Sequence, residues 1–220
     1  MRSMAAPDRT PVSRERILEA AARVYAMHGF RGATTRLIAN EAGVNEVTLF
    51  RTFGSKSALI EAVLAQHGHA RPALALPDVP VDPLNELTAF VAESLQRVRE
   101  MRPLLMHTMS EVDERPEAHE FACRGRHHVH DTITTYVRRL QARGFADAGV
   151  NAEVAAVMLT ATVMSDAVSR HIVPEVYPPI ESAAEQYVRA FLRLVGADAI
   201  ARAPLAPVAA APVSSSSAPR

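Results

Sequence analysis

Two short amphipathic runs, each bounded by residues that start and stop helices, lie back to back between residues 34 and 54 and constrain the fold more than any other feature of the chain. Thr34 is placed to cap a helix with Leu37, Ile38 and Ala42 on its buried side, and Gly43 closes it. Asn45 caps a second run that reaches Phe53, and Gly54-Ser55 ends that run and opens the next. Upstream, Ser13 reads as the cap of a helix carrying Ile17, Ala20, Ala21, Val24 and Tyr25 at helical spacing as far as Gly29. Three short helices with tight turns are the outline of a helix-turn-helix unit. In such a unit one helix crosses the DNA backbone and the next enters the major groove, whose width admits one helix. Ile38, Ala39, Val44 and Leu49 would form the small core that holds the pair rigid, and Ala39 must be small where the third helix crosses it.

The remaining periodicity is also helical. A fourth helix is expected from Lys56 to His67. Asp82-Pro83 opens a fifth, Pro103 a shorter sixth, and Arg115-Pro116 a seventh that runs to Ala142. An eighth is expected over Ala152–Val173 and a ninth over Ile180–Val195. No segment alternates apolar and polar residues as a strand would. The predicted fold is therefore all-α, with about nine helices. It divides into an N-terminal arm (1–12), a helix-turn-helix unit (13–67), a proline-rich linker (68–82), a helical second domain (83–200) and an Ala/Pro/Ser tail (201–220) expected to lack order.

The formal net charge is zero, but its distribution is uneven. Residues 1–60 hold nine Lys and Arg against five Asp and Glu, and the rest of the chain holds fifteen against nineteen. A basic excess at one end is what a nucleic-acid footprint needs, although a split of this size also arises by chance. The single cysteine, Cys123, excludes an intramolecular disulfide and a cysteine-rich zinc site, and it fits a reducing, cytoplasmic setting. Neither a signal peptide nor a membrane span is expected, because polar residues interrupt the longest apolar stretch. No phosphate-cradling glycine loop, nucleophile elbow or HExxH motif is present, so no enzyme activity and no cofactor are predicted.

The segment Arg16-Ile17-Leu18-x-Ala20-Ala21, followed by Tyr25, Gly29-Phe30, Thr34-Thr35, Ile38-Ala39, Ala42-Gly43-Val44, Thr48-Leu49-Phe50, Phe53, Ser55-Lys56 and Leu59, resembles the TetR (tetracycline-repressor-like) family of regulators. The likeness covers residues 13–64 without gaps. It implies that Thr34, Thr35 and Arg36 face the duplex, and that Asn45, Glu46, Val47, Thr48 and Phe50 lie on or near the exposed side of the third helix. Arg51 follows, and Lys56, the one lysine in the chain, would meet a phosphate. Three positions depart from the family's habit, which is a basic residue at Glu46, a glycine at Val47 and a tyrosine at Phe50. A carboxylate at 46 can accept from cytosine N4, and Val47 offers apolar contact to a thymine methyl, so the preferred operator should differ from the family's commoner ones.

The resemblance further implies a ligand-released repressor acting as a homodimer on operator DNA, with an activator or a ligand-independent DNA binder as the alternative. A helical interaction protein without DNA binding is the remaining reading. The apolar eighth helix needs cover on two sides, and Ala155, Leu159, Thr162 and Asp166, with Tyr187, Ala190, Phe191 and Leu194, are the expected dimer surface. Phe90, Met106, Met109, Phe121, Met158 and Met164 are candidate lining for a small-molecule pocket, although methionine on a helical stripe is more often plain core. His127, His130 and Asp131 share a helix face, but an exposed Arg-flanked patch explains them better than a metal site, and none is predicted.

Overall fold

The computed structural model describes residues 14–69 and 74–204, apart from the side chains of 67–69, 116–117 and 120–126. Among these residues there are nine α-helices, one 3-10 turn and no strand. The expected arm, its Ser13 cap and most of the tail lie outside the described residues.

The first four helices are α1 (Arg14–Gly32), α2 (Thr35–Ala42), α3 (Glu46–Phe53) and α4 (Lys56–His69). Their ends follow local chemistry. The Thr34 side chain accepts from the Leu37 N–H, and Asn45 accepts from Val47. Ser55 accepts from Ala58 at 3.0 Å. Gly43 takes a left-handed conformation (φ 66°, ψ 36°), which lets α2 stop and α3 begin at Glu46, behind its cap Asn45. Ile17, Ala20, Ala21, Val24 and Tyr25 of α1 meet Ile38, Ala39, Leu49, Leu59, Ile60 and Val63 in one closed core. Leu104 joins this core from the middle of the chain.

Leu104 belongs to α5 (Pro83–Ser110), capped by Asp82 and continuous through Pro103. The expected break at Pro103 is therefore absent. A proline inside a helix removes one ladder bond and costs about 3 kcal/mol in isolation. Here both flanks are anchored. Leu95 is buried in the second core and Leu104 in the first, Arg99 bonds Asp166, and Arg102 bonds the Val168 carbonyl. At 1.5 Å per residue, α5 is a rod of about 42 Å shared by both units.

The second unit adds α6 (Pro116–Ala142), α7 (Ala152–Ser169), the 3-10 turn Pro174–Val176, α8 (Ala183–Leu194) and a short α9 (Asp198–Ala201). Its core gathers Leu84, Leu87, Phe90 and Val91 with Ile133, Tyr136, Val137, Leu140, Leu159, Val188 and Leu192. The described part of the expected linker is not free. Leu74 and Leu76 pack into this core, and the Leu74 carbonyl meets His128 Nε2 at 2.9 Å. By length and composition α7 could cross a membrane, but its Ala155, Ala156, Leu159 and Val163 are core residues of this bundle.

Burial corrects the expected dimer surface. Ala155, Leu159, Asp166 and Phe191 face inward within the subunit, because the α5 and α8 contacts already cover that side of α7. Thr162 and Tyr187 are half-buried, and Ala190 and Leu194 are exposed. The large apolar side chains of α7 left uncovered are Val154, Val157 and Met158, and Ile172 and Val176 are exposed beyond its C-terminal end.

Candidate nucleic-acid interface

The α2–Gly43–α3 corner presents one continuous polar and apolar surface. Arg36, Asn45, Val47, Phe50 and Arg51 are exposed, with Val47 at 71% of its full accessibility. Thr34 is exposed too, but its hydroxyl is engaged as a cap, and the Asn45 carboxamide oxygen is likewise spent on Val47 N–H at 3.0 Å. Thr48 is half-buried. Leu49, between these residues, is fully buried and fixes the roll of α3 against the core.

Glu46 does not project freely. Its Oε2 accepts from the Thr35 hydroxyl at 2.7 Å, which leaves Oε1 as the acceptor available to a partner. Leu37, expected inside, is partly exposed beside Arg36. The buried residues of α2 are Ile38, Ala39 and Ala42, and their spacing places Leu37 on the opposite side. Hydrophobicity alone hid that signal.

Lys56 opens α4, and its ammonium sits 4.3 Å from the centroid of the Phe30 ring. Partial burial lowers its pKa, and the neighbouring Arg115 adds to the effect. Arg115 lies over the same ring at 3.4 Å. Two cations from different units thus meet at one aromatic ring.

The expected effector pocket does not assemble. Phe90 is buried in the core, whereas Met106, Met109 and Met158 are each more than 40% exposed and Met164 is half-buried. Long, flexible methionines at those helix positions point to solvent because smaller core residues already fill the inner faces. The Phe121 side chain lies outside the described residues. A cleft of about 340 Å³ does open elsewhere, lined by Ala161, Thr162, Ser165, Val176, Tyr177, Pro178 and Tyr187. Among the described residues no group of three His, Cys, Asp or Glu converges on a metal position. His130 instead contacts Asp131 and the Glu153 carbonyl.

Among the described residues, a capped three-helix corner set on the end of a second helical bundle has the architecture of a helix-turn-helix unit joined to a helical domain. Residues 17–63 match the family described as bacterial regulatory proteins, tetR family, so this N-terminal module is similar to that family's.

The chain is 43% identical over 60 residues to the HTH-type transcriptional regulator YvkB of Bacillus subtilis, a stretch covering 27% of this chain and 32% of YvkB. It is 42% identical over 71 residues to the HTH-type transcriptional repressor AcnR of Corynebacterium glutamicum, covering 32% of this chain and 37% of AcnR. The matched stretch thus spans about a third of either relative. The likeness extends further in three dimensions. The crystal structure of a transcriptional regulator from a Rhodococcus species superposes with a TM-score of 0.64 at 25% identity, covering 82% of this chain and 96% of that one.

Proposed function

We propose that this protein is a sequence-specific repressor, cytoplasmic, that binds a twofold-symmetric operator as a homodimer and is released by a small molecule taken up in its second unit. The observation that carries the reading is the exposed set Arg36, Val47, Phe50 and Arg51, held on two capped helices by a shared closed core. A rigid corner with its side chains in solvent has no structural use for them, and their spacing fits the edge of a major groove.

Arg36 and Arg51 suit phosphate or guanine contact, Val47 a thymine methyl, and Glu46 Oε1 a cytosine amino group. Thr34, Thr35, Asn45 and Thr48 border this surface and Lys56 flanks it, the lysine as a phosphate contact. The likeness to AcnR, which is named a repressor, favours repression over activation.

Dimerisation is supported by the uncovered apolar side chains of α7 together with Ala190 and Leu194 of α8. A patch of this kind on a chain of this size calls for a partner, and a second copy brings two α3 helices to grooves roughly 34 Å apart. Release follows if the ligand favours a dimer whose spacing no longer fits. About 1.4 kcal/mol of coupling lowers operator affinity tenfold.

The test is a gel shift of the purified chain on the DNA upstream of its own gene. Wild type should bind one palindromic site. Arg36→Ala combined with Thr48→Ala should abolish that shift and leave the dimer intact by light scattering. A double variant that binds as wild type does would refute the assignment of this surface.

A further inference from the structure

A largely buried carboxylate, Glu111, bridges the two units, beside an exposed pair between Arg31 and Glu114. Glu111 stands at the C-terminal end of α5, where its Oε1 accepts from the Phe30 backbone N–H at 2.8 Å. Its Oε2 accepts from the Tyr25 hydroxyl at 2.8 Å and from Arg115 at 3.1 Å. Tyr25 and Phe30 belong to α1 of the DNA-reading unit, while Glu111 and Arg115 belong to the turn between α5 and α6. The Glu111 and Arg115 side chains are only 16% and 10% exposed, so the ion pair is largely desolvated.

The chain bends to make this contact. Gly29 is non-helical (φ 63°, ψ −177°) within α1, which breaks the helical ladder there and turns the Phe30 N–H toward the carboxylate. A Cβ at Gly29 would lie 3.0 Å from His107 Nδ1 and 3.3 Å from Glu111 Oε1, so a glycine is needed for the close approach. Arg115 then closes over the Phe30 ring.

Within the DNA-reading core it is Tyr25 that reaches Glu111 through its hydroxyl, whereas Ile17, Ile38, Leu49 and Ile60 are buried there through apolar packing. A buried ion pair is a weak source of net stability, and its better use is to select one arrangement among several of similar energy. Here the arrangement selected is the angle between the two units.

We infer that Glu111, through Tyr25 and the Phe30 amide, fixes the angle at which the DNA-reading unit leaves the second unit, and so sets the half-site spacing that the dimer accepts. This rests on the dimeric DNA-binding reading above. The lever arm is short but sufficient. Across a unit as long as α1, roughly 28 Å, a rotation of about 7° displaces the far edge by about one base-pair step of 3.4 Å. A latch that admits a few degrees less freedom therefore discriminates between neighbouring spacings.

The experiment uses the full chain and a palindromic duplex selected by it from a random library, resynthesised with one or two base pairs added or removed between half-sites. Wild type should lose about tenfold in affinity per altered spacing, in the range of a mismatched base pair. Glu111→Gln should bind the selected duplex several-fold more weakly and reduce the spacing penalty to under about threefold. Tyr25→Phe, which keeps the buried ring, should do the same in smaller degree and decides the matter if Glu111→Gln does not fold.

Exchange of the Phe30 amide with deuterium should accelerate in Glu111→Gln. Weaker binding with an unchanged spacing penalty in the folded variants overturns the inference and leaves the DNA-binding reading intact. A wild type indifferent to spacing overturns the dimeric reading and this inference together.

Discussion

Thr35 donates its hydroxyl to Glu46 Oε2 across 2.7 Å, so the first residue of α2 is tied to the first residue of α3. This bond lies within the corner that would meet DNA, and it holds a negative charge on that surface. Glu46→Lys removes that charge and adds a cation. Affinity for unrelated duplex should rise, and the dependence of log K on log salt should steepen by about one per subunit. Fluorescence anisotropy across a salt series reads this directly. An unchanged slope would place residue 46 away from the backbone.

Lys56 rests over Phe30 with its charge partly screened from water. As a phosphate contact it would contribute a counterion release of about 0.9 per subunit. Lys56→Met should flatten the salt dependence by that amount and weaken binding to all sequences alike. Thermal stability should fall by no more than about 1 kcal/mol, the size of an exposed cation–π contact. A change in sequence preference instead of in slope would assign Lys56 to base recognition.

The uncovered side of α7 carries Val154, Val157 and Met158. A carboxylate placed there should face its own copy across the twofold axis, where like charges repel and are desolvated together. Met158→Glu is expected to sediment as a monomer at micromolar concentration and to lose more than about a hundredfold in operator affinity, while its helical circular dichroism persists. A dimer unaffected by this substitution would move the interface elsewhere.

The corner was legible in the sequence because its physics is local. Thr34, Gly43, Asn45 and Gly54 act on their own backbone or on residues two or three positions away, and each does so in the structure or adopts the expected positive φ. The second unit was less legible for three reasons. Helix α7 is apolar on several faces, so periodicity could not say which face turns inward, and Ala155, Leu159 and Asp166 were placed on the wrong one. Pro103 reads locally as a break, yet the cores at Leu95 and Leu104 hold α5 through it. The bond from Tyr25 to Glu111 spans 86 residues, a separation to which no local pattern is sensitive.

Asp166 supplies a stability test. Its side chain is fully buried and accepts from Arg99 at 2.8 Å, from Arg170 Nε at 2.8 Å and from the Tyr187 hydroxyl at 2.6 Å. Burial alone would raise its pKa, but the hydrogen bonds from Arg170, Arg99 and Tyr187 outweigh that and hold it at about 2. In the unfolded chain it returns to about 3.9. Because the folded value is the lower one, the stabilisation is complete above the unfolded pKa and is lost as pH falls through about 2. Its size is roughly 2–3 kcal/mol, at about 1.36 kcal/mol per pH unit. Asp166→Asn leaves Arg99 and Arg170 without their counter-charge and should cost about 3 kcal/mol at pH 7. Urea unfolding of both proteins between pH 7 and 2.5 should show the gap narrowing below pH 4. A gap that stays constant to the acid end would mean that another carboxylate controls the acid limb.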